Sequence, residues 1–329
     1  MGRKRKPSGG LGCLLILLVL VGGAGWLFVH RGWTGAGPLD RPAVVRVPEG
    51  ATLAATARAL EKAGAVRSTT GFLRFVRWFG GPGSIKAGEY RIPAHASARE
   101  VYAILQAGRT VLRLVSIPEG MPSVLVRERL AAEDALTGTV AIPAEGSVLP
   151  DSYSYEVGEE RAAVLLRMQA AMRKALDAEW KTRKPTAVVR TKAEAVILAS
   201  IVEKETALPS ERRTVAAVYS NRLRQGMKLQ ADPTVIYPIT QGKPLGRRIR
   251  RSELRAENGY NTYAMTGLPK GPIANPGRAS IAAVLDPAKT DALYFVADGK
   301  GGHVFAETLE QHNANVKHWY ALRRARGEM

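Results

Sequence analysis

Two glutamates flank a lysine at the end of an apolar run, in the stretch Ile-Leu-Ala-Ser-Ile-Val-Glu-Lys-Glu from Ile197 to Glu205. A carboxyl can protonate and deprotonate oxygen, and one held in apolar surroundings keeps its proton near neutral pH. Helix phase decides which of Glu203 and Glu205 has such surroundings. Thr191 and Glu194 have the spacing of a capping box, which predicts a helix starting at Lys192, and Pro209 bounds it just past Glu205. At about 100° per residue, Leu198 and Ile201 lie within roughly 40° of Glu205, and Val202 within about 60°. Glu205 therefore ends the apolar stripe. Glu203 points about 160° away, on the side of Val196 and Ser200, and is expected to be solvated.

Burial raises a carboxyl pKa, and the helix C-terminus disfavours negative charge, so both effects point to a protonated Glu205. Such a group is a general acid, able to protonate a glycosidic oxygen. The alternative is an ion pair with an arginine such as Arg212 or Arg222, which would hold Glu205 ionised. Ser210 is placed to cap the next helix, with Glu211 in its first turn and Gly226 at its end. Other chemistries find no support. There is no Gly-x-Ser-x-Gly elbow, no Ser-x-x-Lys pair, no His-Glu-x-x-His, no Walker loop and no dinucleotide fingerprint. His303, His312 and His318 are too scattered for a zinc site, so neither metal nor cofactor is expected.

These residues need elements to hold them, and the N-terminus says where. Residues 1–7, MGRKRKP, carry four positive charges, and the uncharged run Leu11 to Val29 is long enough to span a bilayer. The basic cluster predicts a cytoplasmic N-terminus with the rest of the chain outside. A cleaved signal peptide is the rival, since Gly23-Ala24-Gly25 resembles a cleavage site. The run continues through Trp26, Leu27 and Phe28, which favours a retained anchor. Cys13 is the only cysteine, so no intrachain disulfide is possible, and its place before the apolar run argues against lipidation. The net charge of +19, from 48 basic and 29 acidic residues, points to an anionic neighbour, with a solvated basic surface that has no dedicated partner as the alternative. Outside the cytoplasm that neighbour is membrane lipid or wall polymer, not nucleic acid.

Residues 31–43 are rich in Gly and Pro and read as a linker. Residues 44–109 follow the order β-α-α-β-α and form a small α+β module, with Ser97 and Glu100 capping a helix over 98–107 that Gly108 ends. The opening VRVPEG at 45–50 is echoed by VSIPEG at 115–120, which reads either as two related strand–turn–helix units or as one common turn used twice. Residues 111–329 form a larger mixed domain. Helical patterns occupy 122–134, 160–180, 192–206, 211–225 and 278–285; strand patterns begin DALYFVAD at 291 and HVFAETLE at 303. The stretch 231–277, crowded with Pro, Gly, Asn and Thr, reads as a long functional loop. The basic run at 243–255 reads as a solvated loop, with contact to anionic lipid or wall polymer as the alternative.

Four segments together resemble one family: LASIVEKET (198–206), SNRLRQGMKLQADPTVIY (220–237), YNTYAMTGLPKGPIANPG (260–277) and LYFVADGKGGHVF (293–305). They are similar to the YceG-like endolytic murein transglycosylases, the MltG family, over most of residues 111–329. The resemblance implies an α+β protein with an N-terminal transmembrane helix, a small LysM-like module and a larger catalytic domain, on a bacterial inner membrane. It implies non-hydrolytic cleavage of the β-1,4 bond between N-acetylmuramic acid and N-acetylglucosamine, leaving 1,6-anhydro ends and so ending nascent strands. The family's catalytic glutamate falls on Glu205. Gln230, Asp232, Thr234, Asn261 and Tyr263 become candidate saccharide contacts or supports for Glu205, with Asp232 the best second carboxylate if one exists. Peptidoglycan strands are the implied partner, with synthases as a family expectation. The segment EGSVLPDSY (145–153) keeps Glu145, Asp151 and Tyr153 but has Ser147, Val148 and Leu149 where the family commonly has aromatics, which would weaken a stacking subsite. A non-catalytic peptidoglycan-binding protein and a hydrolytic muramidase are the alternatives.

Overall fold

The structure, a computed structural model, describes residues 9–81 and 83–328. Most of the expected cytoplasmic tail, residues 1–10, and the side chain of Cys13 lie outside the described set. Two compact units are present, one ending at Arg113 and the other starting at Leu114.

The first unit begins with helix α1 (Gly9–Val29). Its side chains from Leu14 to Val21 and from Trp26 to Phe28 are exposed and apolar. Leu14–Thr34, 21 residues of mean hydropathy 1.9, is long and apolar enough to cross a membrane, as a membrane anchor or signal sequence would be. The helical path runs on through a π-helical turn, His30–Thr34. Then come β1 (Ala43–Val47), α2 (Leu53–Lys62), α3 (Thr69–Phe79), β2 (Gly88–Ile92) and α4 (Ala98–Ala107), in the order expected. The strands are antiparallel, with Ala43 opposite Ile92 and Val47 opposite Gly88. Alternation puts Val45, Val47, Tyr90 and Ile92 into a core with Leu60, Phe72, Phe75 and Leu105. The Ser97–Glu100 capping box opens α4, and Gly108 closes it at φ +62°.

Residues 33–39 pack on this unit instead of forming a free linker. Trp33 is only 6% exposed, and its ring lies 6.0 Å from that of Phe75 and 6.3 Å from that of Tyr102. The Gly37 N–H donates to the His95 carbonyl at 3.0 Å, and the His95 N–H donates to the Leu39 carbonyl at 2.8 Å. Gly and Pro content describes chain stiffness and misses one large aromatic with a pocket to fill.

The second unit contains β3 (Arg113–Ser116), α5 (Ser123–Ala131), β4 (Ser152–Tyr155), α6 (Arg161–Lys181), α7 (Lys192–Glu205) and α8 (Arg212–Arg224). It continues with α9 (Asp232–Thr240), α10 (Arg251–Leu254), α11 (Arg278–Leu285), β5 (Tyr294–Ala297), β6 (His303–Ala306) and α12 (Leu309–Ala325). β3 pairs with β4, and β5 with β6 in antiparallel register. Helix α7 packs against both α8 and α11, around a core holding Leu198, Ile201, Val215, Tyr219, Ile281 and Val284. A second core gathers Val115, Ile117, Val126, Val148 and Met168. The fold is thus a mixture of helix and sheet, with one N-terminal apolar helix.

The two Pro-Glu-Gly echoes are the same turn. Each follows a strand and precedes a helix; Gly50 has φ +70° and Gly120 φ +72°. Ala51 donates to the Pro48 carbonyl and Met121 to the Pro118 carbonyl, both at 3.2 Å. The stretch 231–277 is not one loop, because it contains α9 and α10. Pro233 sits in the first turn of α9, where its missing N–H costs no hydrogen bond. Pro238 lies inside the same short helix, which is why a reading by composition sees only breakers.

Candidate active site

Helix α7 starts as its sequence predicts. The Thr191 hydroxyl accepts from the Glu194 N–H at 3.1 Å, and the Glu194 carboxylate accepts from the Thr191 N–H at 3.3 Å. Leu198, Ile201 and Val202 are fully buried below the helix. Glu205 is its last residue, and its Oε1 is shut off from solvent with no hydrogen-bond partner. Burial pushes the carboxyl pKa from 4.5 up to about 7; the Tyr219 hydroxyl opposes the rise, Asp232 adds to it and Arg222 opposes it. Glu205 makes no ion pair among the described residues. Arg222 is near enough to be felt, but its Nε donates to the Leu293 carbonyl and its Nη1 to the Leu229 carbonyl, both at 2.7 Å. A carboxyl protonated to about pH 7 can give its proton to an oxygen placed against it.

Glu203 is not solvated, contrary to expectation. Its side chain is 5% exposed and lies 3.6 Å from Arg212, and its Oε2 accepts from the Gly277 N–H at 2.8 Å. Phase put it on the right face, but that face meets protein. Ser200, on the same side, accepts from the Ile273 N–H at 3.1 Å. Together they bind α7 to the segment leading into α11. Arg212 also reaches Glu119 at 3.4 Å. The cap of α8 differs as well: Glu211, not Ser210, is its N-cap residue. The Glu211 carboxylate instead accepts from the His303 N–H at 2.7 Å and meets the His303 Nδ1 at 2.8 Å. Thr206, next to Glu205, donates to the same carboxylate at 3.2 Å.

Glu205 opens into a cleft of about 320 Å³, edged by Tyr219, Arg222, Gln230, Asp232, Tyr263 and His312. Three of the sequence candidates are therefore together with Glu205. The Tyr263 hydroxyl donates to Asp232 Oδ1 at 2.6 Å, and burial beside that carboxylate holds the phenol well above its usual pKa, as a donor. Gln230 stands at φ +53° at the rim, with its N–H on the Thr262 carbonyl. The other two are framework. Thr234 is fully buried; its hydroxyl donates to the Ala231 carbonyl at 2.7 Å and meets that of Thr262 at 2.8 Å. Asn261, 1% exposed, donates to the Glu253, Leu254 and Ala256 carbonyls. Neither Thr234 nor Asn261 lines the cleft.

Sequence reading missed Tyr219, Phe295 and His312. Tyr219 and Arg222 stand three apart on α8, a spacing that puts both on one face. Phe295 and His312 come from β5 and α12, and no local pattern brings them to α7. His312 stacks on Tyr294 with ring centroids 5.2 Å apart, and burial and Arg222 hold its pKa low. In the 145–153 segment, Val148 and Leu149 are buried, so aliphatic residues there fill core. Glu145 accepts from the Ser123 N–H at 2.9 Å and hydroxyl at 3.0 Å. In the basic run, Lys243 pairs with Glu128 and Arg247 with Glu253. Among the described residues, no group of three or more His, Cys, Asp or Glu could hold a metal ion.

Comparison with known proteins finds a family model, curated relatives and a solved structure that resemble this chain. The model of the YceG-like family matches residues 45–318. The endolytic murein transglycosylase of Bacillus subtilis (strain 168) is 27% identical over 301 residues, covering 82% of this chain and 82% of that protein. The endolytic murein transglycosylase of Streptococcus pneumoniae serotype 2 (strain D39 / NCTC 7466) is 29% identical, over 92% of this chain but 63% of that longer protein. Among solved structures, a putative YceG-like protein from Listeria monocytogenes superposes with a TM-score of 0.51 at 25% identity, over 83% of this chain and 98% of that one.

Proposed function

The chain belongs to the YceG-like family, and from that membership we propose that it is an endolytic peptidoglycan lytic transglycosylase with Glu205 as its catalytic acid and base. The observation that carries the reading is the buried Glu205 carboxyl, with a pKa of about 7, at the edge of an open cleft. Relatives named for murein transglycosylase activity support it.

The reaction needs one carboxyl and no water. Glu205 gives its proton to the glycosidic oxygen as the bond from that oxygen to C1 of N-acetylmuramic acid breaks. The C6 hydroxyl of the same sugar then bonds to C1, and its proton passes to the Glu205 carboxylate. The acid is regenerated and a 1,6-anhydro end remains. Tyr219 beside the carboxyl and the Arg222 charge keep the ionised form accessible for the second step. Gln230, Asp232 and Tyr263 edge the cleft where sugar hydroxyls would lie. Thr234 and Asn261 hold the segments that present them.

The reading includes a retained anchor at residues 11–30, an N-terminus in the cytoplasm, and a LysM-like module at 44–109 that helps hold glycan. It places the domain at 111–329 outside the cytoplasm, beside the synthases that make its strands. A digest of purified glycan tests it. Anhydro ends are expected. Reducing ends would mean that Asp232 activates water as the second carboxylate of a muramidase, and intact strands would mean a binding protein.

A further inference from the structure

A second groove, of about 470 Å³, lies between the Pro118–Pro122 turn and α9. Its chemistry differs from that of the cleft. Arg222, Gln230, Asp232 and Tyr263 make the cleft polar, whereas Met121, Leu125, Ile236 and Leu245, with several prolines, make the groove apolar. A hydroxylated sugar gains little on such a wall, while aliphatic side chains gain by leaving water.

Chain neighbours divide between the groove and the cleft at two places. In the first turn of α9, Asp232 edges the cleft and Pro233 the groove. In the last turn of α7, Glu205 edges the cleft and Lys204 the groove. Lys204 is exposed and enters none of the described ion pairs. A Cβ on Gly120 would come 3.5 Å from Lys204 Cδ, so the lysine stem lies along the Pro-Glu-Gly turn. A Cβ on Gly242 would meet Pro122 at 2.7 Å, so the two walls close on each other there. Glu119, the acidic group of the groove, is already engaged by Arg212 at 3.4 Å.

We propose that this groove holds the anionic stem peptide carried by the muramic acid bound in the cleft. Lys204 takes a peptide carboxylate, and the Met121–Leu125–Ile236 wall takes aliphatic side chains. The proposal rests on the transglycosylase reading. Within that polymer the lactyl carboxyl is spent in an amide and the sugars are neutral, so the carboxylates available to a lysine beside the cleft are those of the peptide.

Binding tests it apart from turnover. The probes are the GlcNAc–MurNAc disaccharide with its stem peptide, and the same disaccharide with its lactyl group capped as a simple amide. Each is titrated by calorimetry against full-length Glu205→Gln protein in detergent micelles. The peptide-bearing probe is expected to bind up to about five-fold more tightly, the range of a single exposed ion pair. Lys204→Glu in the same background should lower the ratio, leaving what the apolar wall contributes, and Lys204→Arg should keep it. Thermal melts establish that both variants fold. Equal affinities in the parent, a ratio unmoved by Lys204→Glu, or no binding of either probe overturns the groove. The glycan digest reads the reaction separately, so either claim can fail without the other.

Discussion

A carboxyl that keeps its proton to about pH 7 makes stability depend on pH in a direction opposite to that of most acids. The folded pKa of Glu205, about 7, stands above the ordinary 4.5. Below about 4.5 the proton is bound in both folded and unfolded states, and nothing is lost. Between 4.5 and 7 the unfolded state sheds it first, and above 7 the native state is disfavoured by about 3 kcal/mol. Glu205→Gln should therefore melt with wild type near pH 4 and above it at pH 8, while cleavage falls by about 100- to 10,000-fold. Wild-type cleavage should decline as pH rises through about 7. Glu203→Gln should do the reverse. It weakens the contact with Arg212 and the Gly277 N–H, costing about 1–3 kcal/mol in a urea titration. The pH profile of its remaining activity should not move. The phase of α7 was legible from the sequence and separated these two residues correctly. What occupied the far face was not, because a helical wheel gives direction and carries no knowledge of α11.

The elements read best where their signals are local. Thr191 and Glu194, or Ser97, Glu100 and Gly108, fix a helix end within a few residues, and the structure places the ends there. The cleft was half legible. Gln230, Asp232 and Tyr263 share short motifs with their neighbours, whereas Phe295 and His312 arrive from β5 and α12 through packing alone. Helix α9 was hidden by its own prolines. The stretch before β1 was misread for a related reason, since Gly37 looks like slack. A Cβ on Gly37 would stand 2.0 Å from the Ala96 carbonyl oxygen, a backbone atom that cannot swing away. Gly37→Ala should lower stability by about 1–3 kcal/mol, read as a drop in the melting temperature of the full chain. A free linker would show no change.

For the whole molecule, the apolar surface of α1 demands cover. Exposed Leu, Ile and Val side chains from Leu14 to Val21 favour a bilayer over water. The full chain should stay in the membrane pellet after alkaline carbonate and leave it in detergent, and N-terminal sequencing should find residues before Gly23. A soluble product starting near Trp26 would mean a cleaved signal. The packing of Trp33 then sets a distance. A leash of 13 free residues would let the first unit wander by about 20 Å from its membrane exit. Here Trp33 is built into the core of that unit, Val29 packs against it, and Phe28 meets Phe75 at 5.2 Å. With α1 in the bilayer, the first unit rides at the lipid surface as a fixed foot. On the proposed reading, glycan held by that unit is held within the thin layer next to the bilayer.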